Sequence, residues 1–339
     1  MGRRHIYAYD FIRAIAIIMV VAVHCIPGRA ETSAAHFYNT LFQAALFPCN
    51  VLFFILSGLL NIHADYESRY LDYALRKLRS ILLPTLVFMF INTVVDMVGL
   101  PGADFVTIAK QFLTNSFSSY SDSIFWFVMA IFAMILVAPF FANSFERMKR
   151  DACRFFSALF LVFSALNLVG FYLGIGFGWS WPTSMFFVVF LLGPSIGHIK
   201  IKHPAVPWAI FCACVAVSTL LIMGGLPHHP ADDNTPFYFL AGGALFLCLR
   251  QMGERLKPNR FISVISKYSF DIYMCHIMLL PHMPDFLLMT TRPLAHIALT
   301  ASVLVASLIV SIVAEYLVIK PLQNLVSHIQ NGLSSSAES

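Results

Sequence analysis

"RAIAIIMVVAVH", residues Arg13 to His24, decides the architecture. Ten residues separate the arginine from the histidine, and all of them are apolar. With its flanks the stretch is long enough to cross a bilayer as a helix. Runs of about 18 or more apolar residues recur along the whole chain, the pattern of a polytopic membrane protein. The runs are continuous rather than alternating, so helices and not barrel strands satisfy the backbone in lipid. The 339-residue chain is 59% hydrophobic and 12% charged, with a mean hydropathy of +0.77. Soluble domains carry about a quarter charged residues.

Ten spans are expected, near 9–27, 39–60, 80–99, 122–142, 155–173, 182–199, 205–224, 236–250, 269–289 and 294–319. With the N-terminus inside, eighteen of the 22 lysines and arginines fall on the cytoplasmic side, Arg250 among them. Arg29, Lys110 and Arg292 fall on the other, and Arg13 lies within the first span. That asymmetry places both termini in the cytoplasm. The fold class is therefore all-α, a polytopic integral membrane bundle of about ten transmembrane helices. A transmembrane domain is expected over 1–325 and a short polar cytoplasmic tail over 326–339.

The net charge of +5 follows from this placement and calls for no nucleic-acid partner. Seven cysteines lie mostly in apolar segments. Cys212 and Cys214, the close pair, face different sides of one span, so neither a disulfide framework nor a zinc site is expected. Gly28-Arg29-Ala30 weakly resembles a signal-peptidase site, but Asp10 and Arg13 suit a signal peptide poorly. The first span is expected to be retained.

Arg13 and His24 are eleven residues apart, three helical turns plus about 20°, so they share a face and lie about 16 Å apart along the axis. Asp10 lies on the same side. Ionisable groups inside a membrane are costly and usually face a cavity or a partner. Three on one face imply a polar cavity entered from the cytoplasm. Spacing alone also fits a plainer arrangement, with Arg13 snorkelling to the interface and His24 hydrogen-bonded near the outer headgroups.

"YDFIRAIAIIMVVAVH" resembles the opening of the membrane-bound acyltransferase-3 family, with an Asp three residues before an Arg and a His eleven after it. Asp10, Arg13 and His24 occupy those positions. Four further stretches follow in family order. They are "FFILSGLL" (Phe53 to Leu60), "RKLRSILLP" (Arg76 to Pro84), "WFVMAIFAMILVAPFF" (Trp126 to Phe141) and "SFDIYMCH" (Ser269 to His276). One departure is that many members carry a His two residues before the fourth-span Trp, where this chain has Ile124. No role of that histidine carries over.

The resemblance implies transfer of an acyl group, most commonly acetyl from acetyl-CoA, to a carbohydrate hydroxyl. The chemistry of the residues agrees. Arg76, Lys77 and Arg79 suit the phosphates of a cytoplasmic CoA, since guanidinium groups bind phosphate bidentately. Ordinary positive-inside anchoring is the plainer alternative. Arg13 could hold the donor arm or a CoA phosphate, with Asp10 orienting or neutralising it. His24 suits the base that removes the acceptor's hydroxyl proton, or a transient acyl carrier. Ser57 together with Gly58 suits a close contact with another helix, and Ser57 could alternatively reach the donor.

Ser269, Tyr273 and His276 share a face of the ninth span, lining the cavity or bonding neighbouring helices. Trp126 could stack on a sugar, or belong to the interfacial belt. Glu315 is expected to pair with a cytoplasmic cation. The loop "LPHHPADDN" matches no metal motif and reads as solvated.

The expected protein is thus an O-acyltransferase of the bacterial inner membrane. Its partners would be the lipid bilayer, acyl-CoA and a cell-envelope glycan or lipid-linked glycan, with no metal. No fused extracytoplasmic esterase-like domain is expected after residue 320. A transporter or flippase for a lipid-linked glycan is the alternative from another class, and a non-catalytic membrane subunit is a third. Neither needs a CoA site.

Overall fold

The computed structural model describes residues 6–26, 32–62, 70–98, 100, 102–118, 125–147, 150–174, 185–226, 236–288 and 293–337. Two expectations fall outside them: the weak cleavage site at 28–30 and the histidine–aspartate loop at 227–234. Every regular element among the described residues is helical. In chain order these are α1 (Tyr7–His24), α2 (Ser33–Leu46), α3 (Cys49–Asn61), α4 (Tyr70–Lys77) and α5 (Leu83–Met97). Next come α6 (Phe105–Ser118), α7 (Phe125–Arg147), α8 (Arg150–Leu173), α9 (Met185–Gly197) and α10 (Ala205–Met223). The last are α11 (Pro236–Arg255), α12 (Arg260–Leu279), α13 (Asp285–Leu288), α14 (Pro293–Ala314) and α15 (Lys320–Ala337). A π turn, Leu78–Leu82, joins α4 to α5, and another, Glu315–Ile319, joins α14 to α15.

Among the described residues six of the ten expected spans are long and apolar enough to cross a membrane: Tyr7–His24, Ser33–Asn61, Tyr70–Met97, Phe125–Ala142, Ala205–Met223 and Pro293–His328. The remaining four correspond to α8, α9, α11 and α12. α8 and α9 contribute shorter apolar stretches, Leu161–Gly170 and Phe186–Gly197. α11 and α12 are each 20 residues long but carry polar and charged side chains along their length. The chain is a helical membrane bundle.

Several boundaries move for physical reasons. The second span is interrupted between α2 and α3, where Pro48 has no amide hydrogen to continue the ladder. The helix of the ninth expected span, α12, starts at Arg260, a full turn or more before the apolar run, so that Ser266 and Lys267 are helical. Residues 326–337, read from composition as a polar tail, continue the helix of α15.

The coordinates group into two compact units. The first comprises Met1–Asp65, Val137–Ser269 and Pro284–Ala301; the second comprises Tyr66–Leu136, Phe270–Met283 and Ser302–Ser339. Hydropathy does not reveal this interleaving, because both are built from the same kind of apolar helix.

In the first unit α1 packs on α3 and α11, and α3 lies tightly against α9. Glycine permits that approach. A Cβ at Gly58 would fall 1.8 Å from the Phe190 carbonyl oxygen, and one at Gly193 would fall 2.5 Å from that of Ile55. With no hydrophobic driving force between helices in lipid, such close backbone packing supplies the association energy.

Arg250, counted among the cytoplasmic-side cations, is buried. Its Nη1 and Nη2 donate to the carbonyls of Gly197 and Ile199 and so satisfy the C-terminal end of α9. Cys212 is exposed and Cys214 buried, as their spacing on α10 requires.

In the second unit Tyr73 and Tyr70 donate to the carbonyls of Ile135 (2.7 Å) and Leu136 (3.0 Å), tying α4 to α7. α6 starts at Asp104, whose carboxylate accepts from the Thr107 amide at 2.7 Å. Glu315 pairs with Lys320 at 3.2 Å, the cation partner expected for it.

Candidate active site

α1 carries the candidate chemistry along an uninterrupted 18-residue helix. Near its start Asp10 and Arg13 form an i,i+3 ion pair, with Arg13 Nη1 3.3 Å from Asp10 Oδ1. A third group closes the arrangement. Ser266 of α12, itself buried, donates from Oγ to Asp10 Oδ1 at 3.0 Å and accepts from Arg13 Nη1 at 3.1 Å. The guanidinium is thereby held by two partners through one nitrogen, and its side chain remains 30% exposed. A guanidinium has five N–H donors, so the fork retains donors for an anionic ligand.

His24 ends the same helix and is exposed. It keeps the shared face and lies three turns from Arg13, so the two meet neither each other nor one common partner of hydrogen-bond size. The segment around it is braced by two residues that the sequence reading passed over. His296 of α14 is buried, and its Nε2 lies 2.8 Å from the Ala22 carbonyl. A carbonyl only accepts, so Nε2 carries the proton and Nδ1 accepts from the Tyr38 hydroxyl at 2.8 Å. Tyr38, His296 and Ala22 thus link α2, α14 and the last turn of α1, two residues before His24.

Ser269 is buried and donates to the Ser266 carbonyl at 2.9 Å, so its hydroxyl serves α12 itself. Along the same helix the buried His276 has Nδ1 2.8 Å from the Tyr273 carbonyl, which makes Nδ1 the protonated nitrogen. The Tyr273 ring packs on Phe127 with centroids 5.0 Å apart, and Trp126 meets Phe127 edge to face at 5.8 Å. Ser57 is half-buried, and its carbonyl accepts from the Asn61 amide at 2.8 Å.

The basic cluster sits at the π turn of the second unit. Arg76 is exposed, and the Lys77 ammonium lies 5.5 Å over the Tyr73 ring. Arg79 donates from Nη1 to Ser327 Oγ at 2.5 Å, and its carbonyl accepts from Gln323 Nε2 at 3.1 Å. Helix α15 therefore braces Arg79. Among the described residues no group of three His, Cys, Asp or Glu side chains could hold a metal ion.

Two signals for the missed residues were present. Ser266 extends the Ser269–Tyr273–His276 series by one i,i+3 step. His296 is an ionisable residue inside an apolar span, which by itself marks a candidate site.

A family model described as an acyltransferase domain matches residues 6–316. No curated protein and no solved structure matches the chain.

Proposed function

The chain belongs to the acyltransferase-3 family, and from that premise we propose that this integral membrane acyltransferase moves an acetyl group from cytoplasmic acetyl-CoA to a hydroxyl of a cell-envelope polysaccharide or its lipid-linked precursor. The membrane would be the bacterial inner membrane. The observation that carries the reading is the Asp10–Arg13–Ser266 triangle, with His24 three turns along the same face of α1. A partly exposed guanidinium, held by a buried hydroxyl and a carboxylate, is suited to gripping a donor phosphate or thioester arm.

In this reading His24 takes the proton of the acceptor hydroxyl as its oxygen attacks the thioester carbonyl. The new C–O bond forms, the C–S bond breaks, and the CoA thiolate leaves with the proton that His24 took. Histidine titrates in the range this exchange needs. Arg76, Lys77 and Arg79 would hold the phosphates of CoA, Asp10 and Ser266 would fix Arg13, and Ser57 would contact the donor. Trp126, Ser269, Tyr273 and His276 would line the path. An acyl group resting transiently on His24 gives the same products in two steps.

The test is mass spectrometry of envelope glycans from cells with and without the gene, joined to thiol release from acetyl-CoA by the purified protein. An acetyl mass increment that depends on the gene and on His24 supports the reading. Identical glycans together with no thiol release would overturn it.

A further inference from the structure

We propose that the groove walled by α9, α10 and α11 binds an anionic membrane phospholipid, with one hydrocarbon chain in the groove and the phosphate on Lys200 and Lys202. α11 packs against both α9 and α10, and the space left between those consecutive helices is a cavity of ≈ 500 Å³ floored by Val51 and Ile55 of α3. That volume is in the range of ligand sites, roughly 300–1,000 Å³.

The lining separates cleanly by polarity. The walls are apolar throughout, and among the described residues the only ionisable side chains lining the groove are Lys200, Lys202 and His203, all from the turn 198–204. A soluble ligand of this size needs polar groups distributed to orient it. A groove that is apolar along its length and cationic at one end matches an amphiphile with a hydrocarbon tail and an anionic head. Basic pockets between transmembrane helices recognise anionic headgroups in this way. Among the described residues no carboxylate lines the groove to compete for the lysines.

Two further features indicate a built site rather than a packing gap. The turn that presents the lysines is held in place, because buried Arg250 binds the carbonyls of Gly197 and Ile199 and His198 Nδ1 lies 2.6 Å from the Pro194 carbonyl. Gly243 lies on the groove wall, and a Cβ there would meet nothing within 4 Å. Gly58 and Gly193 are required by a neighbouring backbone; Gly243 is not, and what it leaves is width for an occupant. The positive-inside reading puts the turn at the cytoplasmic face, where anionic lipids attract basic residues.

The experiment is native mass spectrometry of the purified full chain in detergent micelles containing equal phosphatidylglycerol and phosphatidylcholine. Wild type should retain one phosphatidylglycerol in preference to phosphatidylcholine by roughly tenfold or more, the effect of two lysines near an anionic headgroup. Lys200→Glu with Lys202→Glu, both on an exposed turn, should abolish the preference. Gly243→Leu, which fills the groove and favours the helix, should lose the retained lipid while its unfolding temperature in lipid-free detergent matches wild type. Excess glycerol phosphate, a headgroup without chains, should not displace the lipid. Equal retention of the two lipids, retention unchanged in Gly243→Leu, or full displacement by glycerol phosphate would overturn the proposal.

Discussion

Ser266 converts an ordinary i,i+3 ion pair into a fixed guanidinium, since it donates to one partner and accepts from the other. A charge-assisted hydrogen bond is worth about 1.5–3 kcal/mol. Ser266→Ala should therefore weaken acyl-CoA binding about tenfold or more, and Ser266→Thr should restore most of it. Calorimetry on purified variants checks this; a purely structural serine would lower the unfolding temperature and leave donor affinity alone. His24→Ala should bind donor and transfer nothing. Exchanging His24 with Val23 turns the imidazole by about 100° with a shift of about 1.5 Å, and the exchanged protein should be inactive in the thiol-release assay. Asp10 and Arg13 were legible because their link is three residues long and periodicity exposes it. Ser266 and His296 reach partners 256 and 274 residues away, and spacing within one helix is blind to such distances.

At the level of the helices, the α3–α9 contact depends on what Gly58 lacks. Gly58→Val would drive its side chain into the Phe190 carbonyl, which as backbone has little room to yield. Overpacking costs about 1–3 kcal/mol or more, and the variant should show a lowered unfolding temperature and reduced yield of folded protein. α6 offers a pH test. Its capping Asp104 has a carboxyl held below the ordinary aspartate range by hydrogen bonds from Thr107. A depressed folded value means the cap stabilises above the unfolded value of about 3.9 and is lost as pH falls through the folded one. The protection of the first-turn amides of α6, relative to their intrinsic exchange rate at each pH, should fall below about pH 4 and stay constant between pH 5 and 8. The helices themselves were legible from apolar runs. The break before Pro48 and the early start of α12 were not, because hydropathy averages over windows longer than a helix cap. The π turns escaped it as well, since the step of the hydrogen-bond ladder leaves no mark on composition.

For the molecule as a whole, the charge asymmetry that orients the bundle makes a direct claim. Reporter fusions at Lys202 and Lys257 should read cytoplasmic and one at Asp104 extracytoplasmic. An external signal at Lys202 would move the lysine turn to the opposite leaflet and reverse the first span. Arg250 shows that a counted charge can also be structural. It adds to the inside tally, yet it is buried against the end of α9. The asymmetry survives its removal, because seventeen cations still face three. Fold class was readable because lipid permits so few backbone arrangements. The lipid groove was not, since its lining comes from five helices whose apolar residues look alike in sequence.

The π turns at Leu78–Leu82 and Glu315–Ile319 mark places where the chain has a residue to spare. Each holds one residue more than an α-helical ladder needs at that point. Deleting Ser80 would let α4 and α5 fuse into one regular helix, while the same deletion inside α1 would put His24 out of phase with Arg13 by about 100°. Length variation between relatives should therefore collect at 78–82 and 315–319 and be absent from 10–24. A chain shortened at Ser80 would still insert and would keep Arg76 and Lys77 aimed as they are, because the π turn takes up its extra residue within about the same helical advance. The turn thus acts as a length buffer beside the basic cluster, able to lose one residue without re-aiming either cation.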